Sequence, residues 1–298
     1  MGITVVGSVA IDDVITPFGK NFNAPGGSAT YFSLSASNFT KVKLVAVVGK
    51  DFPNKYIRLL DSKGIDTKGL EIKEGKTFRW KGRYDKTLDN PESLRTHLNL
   101  FGTFRPKLPK GYHNEKILFL ANIDPDLQLD VLDKTNPKLI AADTINFWIT
   151  HKRKSLLKVL KRIDILIINE YEARELTNES NIIKASKSII SMGPKVAIVK
   201  KGEDGLILVS KNGLYLLPAY PLETVLDPTG AGDTFAGGFL GYLSKVGRFN
   251  EKTFKQACLY GTIMASFTVE GYDISNLARL SKNKINQRAK QFKKICSL

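Results

Sequence analysis

Asp227-Pro228-Thr229-Gly230-Ala231-Gly232-Asp233-Thr234-Phe235-Ala236-Gly237-Gly238 is the stretch that decides the fold. Pro228 and Gly230 mark a turn, and Phe235, Phe239, Leu240 and Leu243 follow at helical spacing. A helix is therefore expected to begin near Gly232 or Asp233. The first N–H groups of a helix lack internal partners and lie at the positive end of its dipole. A glycine-rich turn opening onto them suits an anion, phosphate above all. Asp233 places a second negative charge in that site, which is unfavourable unless it has a task. Taking a proton from an attacking hydroxyl is such a task. Helix capping is the simpler alternative for an isolated Gly-Asp; the whole run favours the phosphate site.

Working outward, short apolar runs recur at residues 3–6, 44–48, 117–120, 139–142, 165–168, 196–199 and 206–209. Helix-like patterns lie between several of them, at 29–37, 54–63, 154–161, 170–176 and 182–191. Near-continuous apolar strands alternating with amphipathic helices indicate a mostly parallel sheet covered on both faces. Ligands of such sheets collect at the carboxyl ends of the strands. Residues 71–104 differ: Thr77 to Tyr84 alternates large and charged side chains, as a half-exposed strand does. With no internal repeat or linker, one α/β domain with a small β-rich flap is expected over 1–298.

The run from Asp227 to Gly238 resembles the C-terminal motif of the PfkB or ribokinase-like family of carbohydrate and nucleoside kinases. The resemblance implies a three-layer α/β sandwich with a mostly parallel central sheet and a small lid of β-strands, here at about 12–24 and 71–104. It implies Asp233 as catalytic base and Gly230, Ala231 and Gly232 as an anion hole for the transferred phosphoryl group. Asp227 and Thr229 stand where related kinases bind a monovalent cation such as K+. No G-x-x-x-x-G-K-[ST] motif occurs. A lid would keep water from competing with the acceptor hydroxyl.

Other residues take roles by their place at strand ends. Asp12 follows the first strand and can accept hydrogen bonds from adjacent hydroxyls of a polyol, or serve a turn, as Asp13 could. Gly26 and Gly27 resemble the family's N-terminal Gly-Gly motif, where backbone approaches the acceptor. Ser28 replaces a frequent Lys of that motif, Tyr31 stands where an Asn often contacts the sugar, and Ala10 lacks a polar group. These departures point away from free ribose. Tyr31 either stacks on an acceptor ring or packs into the core. Asn146 or Asp143, after another strand, is a candidate acceptor contact. Asn169 and Glu172 match the family's N-x-x-E motif, which implies nucleotide binding by Asn169 and Mg2+ held by Glu172 through water; a helix N-cap with first-turn acids is the alternative. Lys200 replaces a frequent Thr in a turn with Gly202 expected near the nucleotide phosphates, where it either adds a point charge or faces solvent.

Composition sets the remaining bounds. The 298 residues are 42% hydrophobic, enough for a sizeable core. No apolar run approaches the ~20 residues needed to span a bilayer, no secretory signal opens the chain, and a cytoplasmic protein is expected. Cys258 and Cys296 form no C-x-x-C pair, and three histidines show no metal spacing. The net charge of +16 gathers at 152–162 and 279–294. Leu156, Leu157 and Leu160 alternate with the first cluster, as on the solvated face of a packed helix, so nucleic acid is the weaker reading of these charges. The expectation is a kinase that uses ATP and Mg2+ to phosphorylate an alcohol of a sugar or sugar-like polyol. A nucleoside kinase of the same fold is the alternative, and a non-catalytic member the weaker rival. Exposed lid strands could pair two copies in a homodimer.

Overall fold

The computed structural model describes residues 2–297. Its strands, in chain order, are β1 (Gly2–Val6), β2 (Ala10–Thr16), β3 (Gly19–Gly26), β4 (Lys41–Gly49), β5 (Ile65–Lys73), β6 (Phe78–Arg83) and β7 (Glu92–His97). There follow β8 (Ile117–Leu120), β9 (Leu139–Ala142), β10 (Ile165–Asn169), β11 (Val196–Lys200), β12 (Leu206–Ser210) and β13 (Gly213–Leu217). Nine of them form one sheet in the order β13-β12-β11-β10-β9-β8-β1-β4-β5. Pairings from β11 through to β5 are parallel, while β11-β12 and β12-β13 are antiparallel. The order reverses beside β1, and a crevice opens at such a switch point beyond the strand ends.

The apolar runs are continuous because both faces of this sheet are buried. Ile3 and Val5 of β1 point into one cluster with Phe32, Leu44 and Phe239, whereas Val6 joins Val45, Leu118 and Leu166 on the other face. Alternation with period two thus feeds two cores. Each fully buried Leu, Ile or Phe contributes about 1.5–3 kcal/mol of transfer free energy. Helix Ala231–Val246 packs between Ser28–Ala36 and Glu251–Val269. Its glycines make that approach close: a Cβ on Gly237 would collide with the Phe32 carbonyl, and one on Gly241 would crowd Ala36.

The second sheet has the order β3-β2-β6-β7. Its pairs are antiparallel except β2-β6, which is parallel. Residues 71–73 end β5 in the large sheet, so the later part of the small sheet comes from 78–83 and 92–97. Phe18 and Phe22 remain exposed on its hairpin.

The basic segment at 152–162 lies on helix Arg153–Leu160 and its two flanks. Leu156 and Leu160 are buried there, Lys152 pairs with Asp126 at 2.6 Å, and Arg162 pairs with Asp133 at 2.6 Å. Cys258 is buried and Cys296 is partly buried; both are free thiols. Among the described residues, no helix is long and apolar enough to cross a membrane.

Candidate active site

Helix Ala231–Val246 starts one residue earlier than the sequence pattern suggests. Gly230 is its N-cap with φ +74°, a conformation that strains residues with a Cβ. The cap has no side-chain hydrogen bond; Ala231 N–H donates to the Pro228 carbonyl at 3.1 Å, and the Gly232 and Asp233 N–H groups have no helical partner and face the open end. A Cβ on Gly230 would also collide with the ring of Tyr31, which is buried directly beneath the turn. Tyr31 is therefore a core support of the turn. The turn itself is braced by Asp227, whose Oδ1 accepts the Thr229 N–H at 2.9 Å.

Asp233 occupies the first turn of this helix. It keeps some surface toward the cleft, while protein surrounds its carboxyl. Burial raises its pKa to about 6, opposed by the nearby Lys200 ammonium and by a hydrogen bond from Asp143. Asp143 stands directly past β9, and burial together with the Asp233 charge pushes its carboxyl well up. A protonated Asp143 donating to an ionised Asp233 follows from those directions. The other Asp143 oxygen, Oδ1, is buried and without a hydrogen-bond partner.

Lys200 ends β11, register partner of Asn169 at the end of β10. Its ammonium lies against Gly232, where a Cβ would collide with Nζ. The same charge acts on Asp233, Asp143 and Glu172. Lys200 thus lies at the mouth of the helix N-terminus and is turned inward. Asn169 and Glu172 form a reciprocal capping box: Glu172 N–H donates to Asn169 Oδ1 at 2.8 Å, and Asn169 N–H donates to Glu172 Oε2 at 2.9 Å. Capping and a place at the site coexist here. Glu172 is buried, which raises its pKa, while Lys200 opposes the shift. Gly202, at φ +55° in a 3-10 turn, is approached by the Asp89 carboxylate from the loop of the small sheet.

The acceptor side is built around Asp12, which lies on β2 and is buried. Burial lifts its pKa to about 7; the Gly27 N–H opposes this, and the charges of Asp227 and Asp233 add to it. Gly26 faces the carboxylate so closely that a Cβ would collide with Asp12 Oδ2. Gly27 has φ +91° and starts helix Ser28–Ala36, whose Ala29 N–H donates to the Ser8 carbonyl at 3.0 Å. Asn146 is exposed at the start of its short helix, so the structure brings Asp143, not Asn146, to Asp233. Sequence reasoning left Asp143 as an alternative and missed Tyr84. That buried residue follows β6, and its hydroxyl oxygen accepts the Thr229 hydroxyl at 3.2 Å.

The anion-ready helix, the inward lysine and the buried carboxyls fit phosphoryl transfer. The model of the pfkB family carbohydrate kinases matches residues 20–278. The chain belongs to this family. It is thereby a phosphotransferase acting on a hydroxyl group. The cytidine kinase of Thermococcus kodakarensis is 32% identical over 256 residues, covering 82% of this chain and 89% of that protein. The nucleoside kinase of Methanocaldococcus jannaschii, described as an archaeal member of the ribokinase family, superposes with TM-score 0.78 at 23% identity, covering 97% and 98% of the two chains. A nucleoside kinase of Burkholderia thailandensis in complex with inosine gives 0.79 at 16% identity, with 97% of each chain covered. Kinases of this fold have the large, mostly parallel sheet and small accessory sheet seen here.

Proposed function

We propose that this kinase transfers the γ-phosphoryl group of ATP to a hydroxyl of a nucleoside, recognised through its ribosyl diol. The observation that carries the chemistry is the pairing of Asp233 with the open N-terminus of its own helix. A general base and a phosphoryl cradle thereby sit within one turn of each other. The Asp12 carboxylate in its glycine-lined niche suits a pair of vicinal hydroxyls. The name of the cytidine kinase relative moves the acceptor from a free sugar to a nucleoside.

In the reaction Asp233 takes the hydroxyl proton as that oxygen forms its bond to the γ-phosphorus. The bond from phosphorus to the bridging oxygen breaks and ADP leaves; Asp233 then returns its proton to solvent. The N–H groups at Gly230, Ala231 (shared with the Pro228 carbonyl) and Gly232, with the Lys200 ammonium, stabilise the equatorial oxygens. Asn169 and Gly202 flank the nucleotide side. Mg2+ keeps most of its water and binds largely through substrate phosphates; Glu172 would hold it through water, and when bound it neutralises phosphate charge. The Asp227 carboxylate accepts the backbone N–H of Thr229, and the Thr229 hydroxyl bonds Tyr84. A K+ ion bound by these two side chains would have to share them with the turn. The small sheet acts as the lid that excludes water.

The test is ADP release with ATP against cytidine, uridine, adenosine, inosine, ribose, fructose and myo-inositol, with product mass confirmed and Asp233→Asn alongside. A nucleoside monophosphate as the preferred product supports the proposal. Preference for a free sugar or inositol by kcat/KM overturns the nucleoside assignment.

A further inference from the structure

Tyr84 connects the small sheet to the 227–230 turn at a point that no role in the reaction yet explains. Its backbone N–H donates to the Ile15 carbonyl at 2.8 Å, so its main chain belongs with β2 in the small sheet. Its side chain leaves that sheet and is buried, with its hydroxyl oxygen accepting the Thr229 hydroxyl at 3.2 Å. Thr229 lies in the 227–230 turn that opens the phosphoryl-binding helix. The same turn is gripped on its other flank. Leu226 N–H donates to the Val269 carbonyl at 2.8 Å, and four residues on Asp273 Oδ2 accepts from Asn21 Nδ2 of β3 at 3.3 Å. Beside it the Tyr272 hydroxyl meets Thr16 Oγ1 of β2 at 3.0 Å. The small sheet is thus joined to the turn at Tyr84 through Thr229, and at Asn21 through the 269–273 segment on which the turn rests. Asp273, held at φ +60° without being a glycine, is fixed at the far end of that segment.

We propose that Tyr84 is a positioning residue through which closure of the small sheet sets the 227–230 turn and so aligns the phosphoryl-binding N–H groups. This rests on the kinase reading of that turn. With the sheet lifted, the Tyr84 and Asn21 hydrogen bonds break, and the turn keeps its Asp227 brace and its backbone bonds to Val269 and within 228–231. With the sheet down, both flanks are held. Alignment of the cradle is then conditional on closure, which ties phosphoryl transfer to a covered acceptor and disfavours transfer to water. The ring of Tyr84 fills space in the closed interface, so Tyr84→Phe removes the link while keeping the packing.

The experiment compares wild type, Tyr84→Phe and Asn21→Ala by steady-state kinetics and by hydrogen exchange of segments 78–97 and 227–234, with and without the acceptor found active in the panel, or cytidine if none is. Tyr84→Phe should lower kcat about fivefold to tenfold, the worth of one hydrogen bond, with acceptor KM within threefold. Acceptor-induced protection of 78–97 should persist while 227–234 exchanges faster than in wild type. Asn21→Ala should also loosen 227–234. Unchanged exchange of 227–234 in Tyr84→Phe overturns the proposal, as does a rise in acceptor KM at constant kcat, which would make the hydroxyl an acceptor ligand. If the wild type transfers no phosphoryl group to any acceptor yet Tyr84→Phe loosens 227–234, the kinase reading fails and the mechanical link stands.

Discussion

Replacing Asp233 with Asn removes the base while keeping its size and one acceptor oxygen. A positioned general base contributes about 10^2 to 10^4 in rate, or about 3–5 kcal/mol of barrier at about 1.4 kcal/mol per factor of ten. The structure argues for the middle of that range. Asp143 is the other carboxyl at this point, held protonated partly by the Asp233 charge. Removing that charge lets Asp143 ionise more readily and supply weak residual base. A loss of about 10^3 in kcat is therefore expected, with KM for ATP unchanged or lower because one negative charge has left the phosphate site. The assay is coupled ADP release at saturating acceptor from pH 5 to 9. In wild type kcat/KM should fall tenfold per unit below about pH 6, where Asp233 takes up its proton. In Asp233→Asn that limb should vanish. A variant within tenfold of wild type, or one that retains the same acid limb, would refute the assignment of the base.

Lys200→Met should raise KM for ATP about tenfold or more through loss of a charge-assisted hydrogen bond, and move the acid limb of kcat/KM upward because Lys200 holds the Asp233 pKa down; an unmoved limb would place the ammonium elsewhere. Gly230→Ala puts a Cβ at φ +74° and into the Tyr31 ring, so kcat and Tm should fall together, the backbone alone costing about 1–2 kcal/mol. Asp12→Asn should lose acceptor affinity yet stabilise the fold. The raised pKa means that Asp12 contributes stability below about pH 4 and loses it as pH rises through about 7. The Tm gain of the variant should be several degrees at pH 8.5 and close to nil at pH 4, and an equal gain at both would show that the carboxylate carries no burial penalty.

Several site elements were legible because their reasons are local. The turn-and-helix of 227–238 needs only Pro228, Gly230 and the apolar spacing of Phe235, Phe239 and Leu243. The runs that became β1, β8, β9, β10 and β11 stand out because strands buried on both faces must be apolar throughout. The edge strand β13 escaped notice, since Leu214 and Leu216 are exposed and glycine opens it. β5 was missed too, because Asp66, Lys68 and Glu71 interrupt its apolar pattern.

By itself, then, the sequence determined a parallel α/β chain with an anion-binding helix start and an acid in its first turn, because capping, glycine conformation and strand periodicity act over a few residues. Only the tertiary structure decided which distant groups share the site. Asp143 and Asp233 are ninety positions apart in sequence, and Lys200 turns in toward Gly232 from another strand. Tyr84 reaches Thr229 from the other sheet. No local pattern records such meetings. They depend on strand order and on which way each strand end points, and the cost of burying a carboxyl appears only when the rest of the chain has closed around it.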